Sequence, residues 1–331
     1  MNETDKNAHA DDADGSSLAA LKEELQDAGD TARRDFILLG AKQRAPSLAS
    51  ALYIVATPIG NLKDMTVRAL ETLAGCDIIA CEDTRVSRKL LTHYGIHTRL
   101  ITYHEHNADK QRPYLLNALE EGKAVALISD AGTPLLSDPG YKLVADMLDA
   151  GHNVVPIPGA SAMLSALVAS GLPTDQIHFA GFLPQKAGAR SRKLADLKNI
   201  PGTLVFYESP RRLGAVLPVM AEHLGAGRQV VIARELTKKF EEFHRGTLGE
   251  LAEHYATADA PRGEAVVLLG PAEEEAPDDG DIDAMIIKGL SEGHHIKALS
   301  GEIAQKVGAK KNDIYKRAQS LKDAMADKDK A

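Results

Sequence analysis

From residue 52 onward the chain repeats one unit: a short apolar run, a loop dense in Gly, Pro, Ser, Thr and Asp, and a stretch with apolar residues three and four apart. The runs are 52–56, 77–81, 99–103, 124–128 and 152–156. Runs this short and this apolar read as strands covered on both faces. Strands that alternate with helical stretches form a parallel sheet, because a parallel neighbour is reached only through a crossover. The fold class expected is therefore α/β.

The longest loop reads Ser129-Asp130-Ala131-Gly132-Thr133-Pro134-Leu135-Leu136-Ser137-Asp138-Pro139-Gly140. Strand-to-helix loops usually run about 2–6 residues, and this one is roughly twice that. Gly132 and Gly140 permit close backbone approach or positive φ; Pro134 and Pro139 stiffen the loop, and Asp130 and Asp138 supply acceptors. With the loops at 57–61, 82–85 and 158–162 it follows the C-terminal ends of strands, so all four converge on one sheet edge, where open α/β sheets bind ligands. None has the glycine spacing of a dinucleotide or phosphate loop. A ligand held through a pyrophosphate is not expected.

Gly171-Leu172-Pro173 reads as a domain boundary. Beyond it strands are expected at 177–180, 203–207, 229–233, 243–247 and 265–269, several with little between them, which predicts a mixed sheet. The divisions expected are a disordered extension at 1–48, an N-terminal α/β domain at 49–171, a second at 172–271, an acidic linker at 272–283 and a helical module at 284–331. Charge marks the last two, since 273–283 carry 7 acids and no base while 284–331 carry 6 acids and 10 bases. Three short helices are expected in that module, with a Gly at the turn after the second, a helix–turn–helix pattern suited to nucleic acid. The net charge of −8 opposes such a partner only weakly, because residues 49–272 are near neutral. Cys76 and Cys81 match neither a zinc nor a disulfide spacing and fit a reducing cytoplasm. No apolar run approaches the roughly 18–20 residues of a membrane span, and the acidic N-terminus does not read as a secretory signal.

Two further loops follow strands in the second half, Tyr207-Glu208-Ser209-Pro210-Arg211-Arg212 and Arg234-Glu235-Leu236-Thr237-Lys238-Lys239. Glu208, Glu235 and Lys238 are of a type to move or tune a proton, and the Arg and Lys side chains to grip phosphates. The same residues also read as ion pairs at the rim of a sheet. His104-Glu105-His106-Asn107 sets two imidazoles on one side of an extended segment but offers no third ligand, so no metal is expected.

Taken in order, these motifs resemble the tetrapyrrole methylase superfamily of S-adenosylmethionine-dependent methyltransferases. The match is carried by Ala56-Thr57-Pro58-Ile59-Gly60-Asn61, Glu82-Asp83-Thr84-Arg85, Tyr103 to Asn107, Ser129 to Gly140, Pro158-Gly159-Ala160-Ser161-Ala162, Phe179 to Pro184, Tyr207 to Pro210 and Arg234 to Lys238. The resemblance implies two α/β domains with a donor-binding cleft between them, followed by a small C-terminal helical module of helix–turn–helix type. It implies S-adenosyl-L-methionine as the methyl donor and, within the superfamily, the branch that methylates a ribose 2′-oxygen of a decoding-centre cytidine in 16S rRNA of the small ribosomal subunit. It further implies a cytoplasmic homodimer. On that resemblance Pro58, Gly60, Asn61, Asp130, Ala131, Gly132, Thr133, Pro134, Ser161, Ala162 and Glu264 hold the donor. Asp83, Glu208, Glu235 and Lys238 form the catalytic network, with the base left open among them, and Arg85, Arg88, Lys89, Arg211, Arg212 and Lys239 contact RNA. The family commonly has a His after Glu-Ser-Pro; here Arg211 stands in its place. The alternatives are a small-molecule, tetrapyrrole-type acceptor and a non-catalytic RNA-binding assembly role; the basic C-terminal module favours RNA.

Overall fold

The computed structural model describes residues 34–137, 140–257, 263–272 and 279–328. Asp138, Pro139 and residues 1–33 of the expected extension lie outside them. The rest of that extension is ordered: β1 (Asp35–Leu38) and β2 (Ala41–Arg44) form an antiparallel hairpin. Its turn, Leu39-Gly40, has positive φ at both residues, as a tight two-residue hairpin requires. Phe36 is buried in the core, and Ile37 N–H donates to the Tyr94 carbonyl at 2.7 Å.

The first sheet is built by β3 (Leu52–Val55), α1 (Val67–Gly75), β4 (Ile78–Cys81), α2 (Thr84–His93), β5 (Arg99–Thr102), α3 (Ala108–Glu120), β6 (Val125–Ile128), α4 (Tyr141–Asp149) and β7 (Val154–Ile157). All five strands are parallel, in the order β5-β4-β6-β3-β7. Successive side chains of a strand point to opposite faces. Tyr53, Val55, Ile79, Cys81, Ala126 and Ile128 accordingly meet α1 and α2, while Leu52, Ile54, Ile78, Ala80, Val125 and Leu127 meet α3 and α4. Each fully buried Leu, Ile or Val contributes roughly 1.5–3 kcal/mol, so the apolar runs themselves dictate a covered sheet.

The chain then forms α5 (Ala162–Val168), β8 (Ile177–Phe182), α6 (Ala187–Leu197), β9 (Thr203–Glu208), α7 (Leu213–Leu224), β10 (Gln229–Arg234), β11 (Glu242–Thr247), α8 (Leu248–Thr257) and β12 (Ala265–Leu269). Its five strands run β11-β10-β12-β9-β8; β8 and β9 are parallel and the other pairs antiparallel, the mixed sheet expected. One face carries α6, α7 and α8. The other is covered by α5 through Ala166 and Leu167, together with Ile59 from the loop after β3. The expected boundary at Gly171 is thus where the chain passes between sheets but not a gap in packing, and the first compact unit extends to Ala272.

The second unit holds α9 (Asp279–Ser291), α10 (Ile296–Val307) and α11 (Lys311–Lys328) around a core of its own, formed by Ile286, Leu299, Ile303, Ile314 and Ala318. Gly308, left-handed at φ 67°, ends α10. The expected acidic linker is partly helix, because Asp279 and Asp283 begin α9 and both pair with Arg317 of α11. No described helix is long and apolar enough to cross a membrane.

Candidate active site

The loops after β3, β6 and β7 are tied to one another at the C-terminal edge of the first sheet. Thr57 and Gly132 exchange both backbone hydrogen bonds, at 2.9 and 3.0 Å. Thr57 Oγ1 donates to the Ser129 carbonyl at 3.1 Å, and Thr133 Oγ1 to the Ala160 carbonyl at 3.3 Å. Gly132 has φ +79°, and a Cβ there would stand 3.2 Å from Ile59 Cγ2. The loops are strained: of the five described non-glycine residues with positive φ, Leu135 and Ser137 lie after β6, Glu235 and Thr237 lie after β10, and Leu39 is in the hairpin turn. Such conformations cost about 1–3 kcal/mol each and persist where the surroundings impose them, often at functional sites.

Between these loops and the second sheet lies a cavity of about 360 Å³. The first half lines it with Ile59, Asp130, Ala131, Gly132, Thr133, Leu136 and Ala162. The second half adds Glu208, Ser209 and Glu264 over an apolar wall of Phe182, Tyr207, Ala233, Leu236 and Val266. Among the residues expected around the donor, Asp130 to Thr133, Ala162 and Glu264 therefore line this space. Pro134 is buried behind it, and Ser161 serves as N-cap of α5. Gly60 and Asn61 face the loop after β10 instead: Asn61 N–H donates to Thr237 Oγ1 at 3.1 Å, and a Cβ on Gly60 would come within 2.5 Å of Lys238 Cγ. Phe182 and Leu236, which fall within motifs quoted above, were not among the residues expected to line the site. The signal for Phe182 was Gly181, a glycine inside a strand; it marks a bulge in the β8–β9 register, and bulges re-aim neighbouring side chains.

The four expected catalytic residues do not form one network. Glu208 is 3% exposed; its Oε1 accepts from Ser209 N–H at 2.8 Å and faces Arg212 at 3.3 Å, while Oε2 is buried with no hydrogen-bond partner among the described residues. Burial raises its pKa, only partly opposed by Ser209 N–H and Arg212. Arg212, which also donates to the Leu183 carbonyl, is engaged by this carboxylate rather than free for RNA. Lys238 Nζ bridges Glu235 Oε1 and Glu264 Oε2, both at 3.0 Å, and Glu235 also accepts from Glu264 N–H at 3.0 Å. Burial pushes Glu235 up and Lys238 down, but the bridge prevails, so the Glu235 pKa falls and that of Lys238 rises. Lys238 stays protonated and braces Glu264 on the cavity wall. Asp83 stands apart: it is the N-cap of α2, and the Arg85 side chain and N–H lower its pKa to about 2.

Asp130 Oδ1 accepts from Asp83 N–H at 3.2 Å, and partial burial raises its pKa despite that bond. Burial and the charge of Asp130 raise the neighbouring Glu82 as well. This edge of the cavity is negative and suits a cation. Arg85, Arg88 and Lys89 line an open groove along α2 with Thr92 and His93, though Arg85 is held by Asp83 at 2.6 Å. Arg211 and Lys239 are exposed, the latter 5.5 Å over the Phe240 ring. His104 to Asn107 form a turn: Asn107 Oδ1 accepts from His104 N–H at 2.8 Å, just before α3. No group of three or more His, Cys, Asp or Glu suited to a metal occurs among the described residues.

Solved structures of diphthine synthase (TM-score 0.53, 14% identity, 66% of this chain and 89% of that one) and of cobalt precorrin-4 methyltransferase (0.51, 20%, 67% and 95%) share the fold. The chain is 56% identical over 285 residues to ribosomal RNA small subunit methyltransferase I of Mesorhizobium japonicum, covering 86% of this chain and 97% of the relative. It is 43% identical to the protein of that name from Escherichia coli O157:H7, covering 83% and 97%. Residues 51–252, which hold the first sheet, its converging loops and most of the second sheet, match the family of tetrapyrrole (corrin/porphyrin) methylases, and to that family the chain belongs.

Proposed function

We propose that the chain is an S-adenosylmethionine-dependent methyltransferase of the small-subunit ribosomal RNA, and that its acceptor is a ribose 2′-oxygen of a decoding-centre cytidine in 16S rRNA. The observation that carries the chemistry is Glu208, which lines the cavity with Asp130 and whose Oε2 is buried with no hydrogen-bond partner among the described residues. The names of the relatives supply the acceptor class.

The residues fit the donor. The backbone at Ala131 to Thr133 can approach a ligand closely because Gly132 has no Cβ, the Asp130 carboxylate suits an ammonium group, and the apolar wall suits an adenine ring. When bound, S-adenosylmethionine supplies a methyl group already activated by a sulfonium. What remains for the protein is alignment, which can contribute most of the acceleration, and the proton of a hydroxyl that is a poor nucleophile at neutral pH. Glu208 Oε2 takes that proton as the 2′-oxygen attacks, while Ser209 N–H and Arg212 hold Oε1 and so fix the carboxylate. Lys238 positions Glu264 rather than acting as the base.

The exposure of Arg88, Lys89, Arg211 and Lys239 supports contact with the RNA backbone. Homodimer formation belongs to the same reading. A cytoplasmic location is supported by the free, buried Cys76 and Cys81.

The test is transfer of label from methyl-tritiated donor to small subunits, or to naked rRNA, from cells lacking this gene. Label on one ribose 2′-oxygen is expected. Donor binding with label only on a tetrapyrrole-type small molecule would move the acceptor, and no donor binding would leave an RNA-binding assembly factor.

A further inference from the structure

The second unit plays no part in the chemistry above. On α9, Asp279 and Asp283 are both taken up by Arg317. Around the turn between α10 and α11, Lys306, Lys310, Lys311 and Lys316 are all exposed, and none is in an ion pair among the described residues. Against these four cations the same eleven residues hold one acid, Asp313, so the segment keeps a net positive charge that attracts an anion.

The side chains beside them are of one kind. On α11, Lys311, Tyr315 and Gln319 follow at i, i+4 and i+8 along the edge beside Ile314 and Ala318, and Asn312 and Lys316 at i and i+4 lie further round the helix; all five are exposed. Gly301, inside α10, has Lys311 Nζ 3.3 Å from where its Cβ would stand. A glycine in a helix interior costs roughly 0.5–1 kcal/mol relative to Ala, and here it leaves room for the ammonium between the two helices.

We propose that this face of α10 and α11 is a second RNA-binding surface, which grips the phosphate backbone of duplex RNA. The inference rests on the reading that ribosomal RNA is the substrate. Ammonium groups meet phosphates, while the Asn and Gln amides and the tyrosine hydroxyl meet sugars and 2′-hydroxyls. The major groove of A-form RNA is too deep and narrow for side chains to read, so binding follows shape and charge rather than sequence. The surface anchors the substrate while the first unit acts.

The experiment measures binding of a labelled RNA duplex of about two helical turns to the full chain across a salt series. The variant combines Lys306→Gln, Lys310→Gln, Lys311→Gln and Lys316→Gln; a second variant carries Arg at the same four positions. The Gln variant is expected to lose about ten- to a hundredfold in affinity at low salt, and the slope of log affinity against log salt to shrink by about 3, at roughly 0.7–0.9 for each phosphate no longer neutralised. The Arg variant is expected to restore both, and donor affinity is expected to stay unchanged in either. Unchanged RNA affinity and slope in the Gln variant would overturn the proposal. So would a loss confined to duplex DNA, or a loss of co-sedimentation with small subunits at full RNA affinity, which would give the face to a ribosomal protein. Failure of the methyl-transfer reading shows separately, as wild-type protein that binds the duplex without labelling rRNA.

Discussion

Glu208 ends β9 at the wall of the cavity, and its raised pKa has two opposite consequences. A carboxyl whose folded pKa exceeds its unfolded value binds more protons when folded, so it loses stability as pH rises from the unfolded value, about 4.3, through the folded one. Glu208→Gln is therefore expected to raise the melting temperature at pH 7, with the gain fading as pH falls from the raised folded pKa towards about 4.3 and absent below it. The same change is expected to lower methyl transfer by about 10²–10⁴-fold with little effect on donor affinity. In wild type the transfer rate should climb with pH through a pKa above the ordinary glutamate range, and the variant should lack that climb. Gly60 gives a second test, because its missing Cβ is where Lys238 passes. Gly60→Ala should push the ammonium off Glu235 and Glu264, so that Gly60→Ala and Lys238→Met lower activity to similar extents and the double variant is no worse than either. Additive losses would show that Lys238 is not held through this contact.

At the scale of elements, most strands were legible as short apolar runs bounded by turn residues, and α10 as apolar residues spaced near 3.6. The hairpin of β1 and β2 was not: its turn is Leu39-Gly40, without the Asn or Asp that usually marks positive φ, and Phe36 alone among its strand residues is buried. The acidic residues 279–283 read as the end of a solvated linker because their partner in the helical unit, Arg317, lies 34 residues beyond Asp283. Arg317→Ala is expected to reduce amide protection in α9 in hydrogen exchange while leaving the first sheet unchanged. The loop after β6 was legible as a site from its length and glycines, but its strain was not. Gly132→Ala, which must keep φ near +79° against Ile59, should cost roughly 1–2 kcal/mol in thermal or denaturant unfolding and weaken donor binding; unchanged values for both would mean the loop is free to relax.

For the whole molecule, convergence of four strand ends on one edge follows from parallel topology alone, and Asp130 to Thr133, Ala162 and Glu264 do share one cavity. The distribution of the charged residues did not follow from the sequence. Asp83 caps a helix, Arg212 serves Glu208, and Lys238 is locked between two glutamates, because each finds a partner that only folding brings near. Those pairings leave Glu208, a lining residue of the cavity, with its buried Oε2 unpartnered among the described residues. The measurement that tests this most directly is calorimetric titration of S-adenosylmethionine into wild type, Asp130→Ala and Glu208→Gln. Wild type is expected to bind one donor per chain. Asp130→Ala should bind about ten- to a hundredfold more weakly, the loss of a charge-assisted hydrogen bond, and Glu208→Gln should bind as wild type does. Full-affinity binding by Asp130→Ala would contradict the placement of the donor in this cavity.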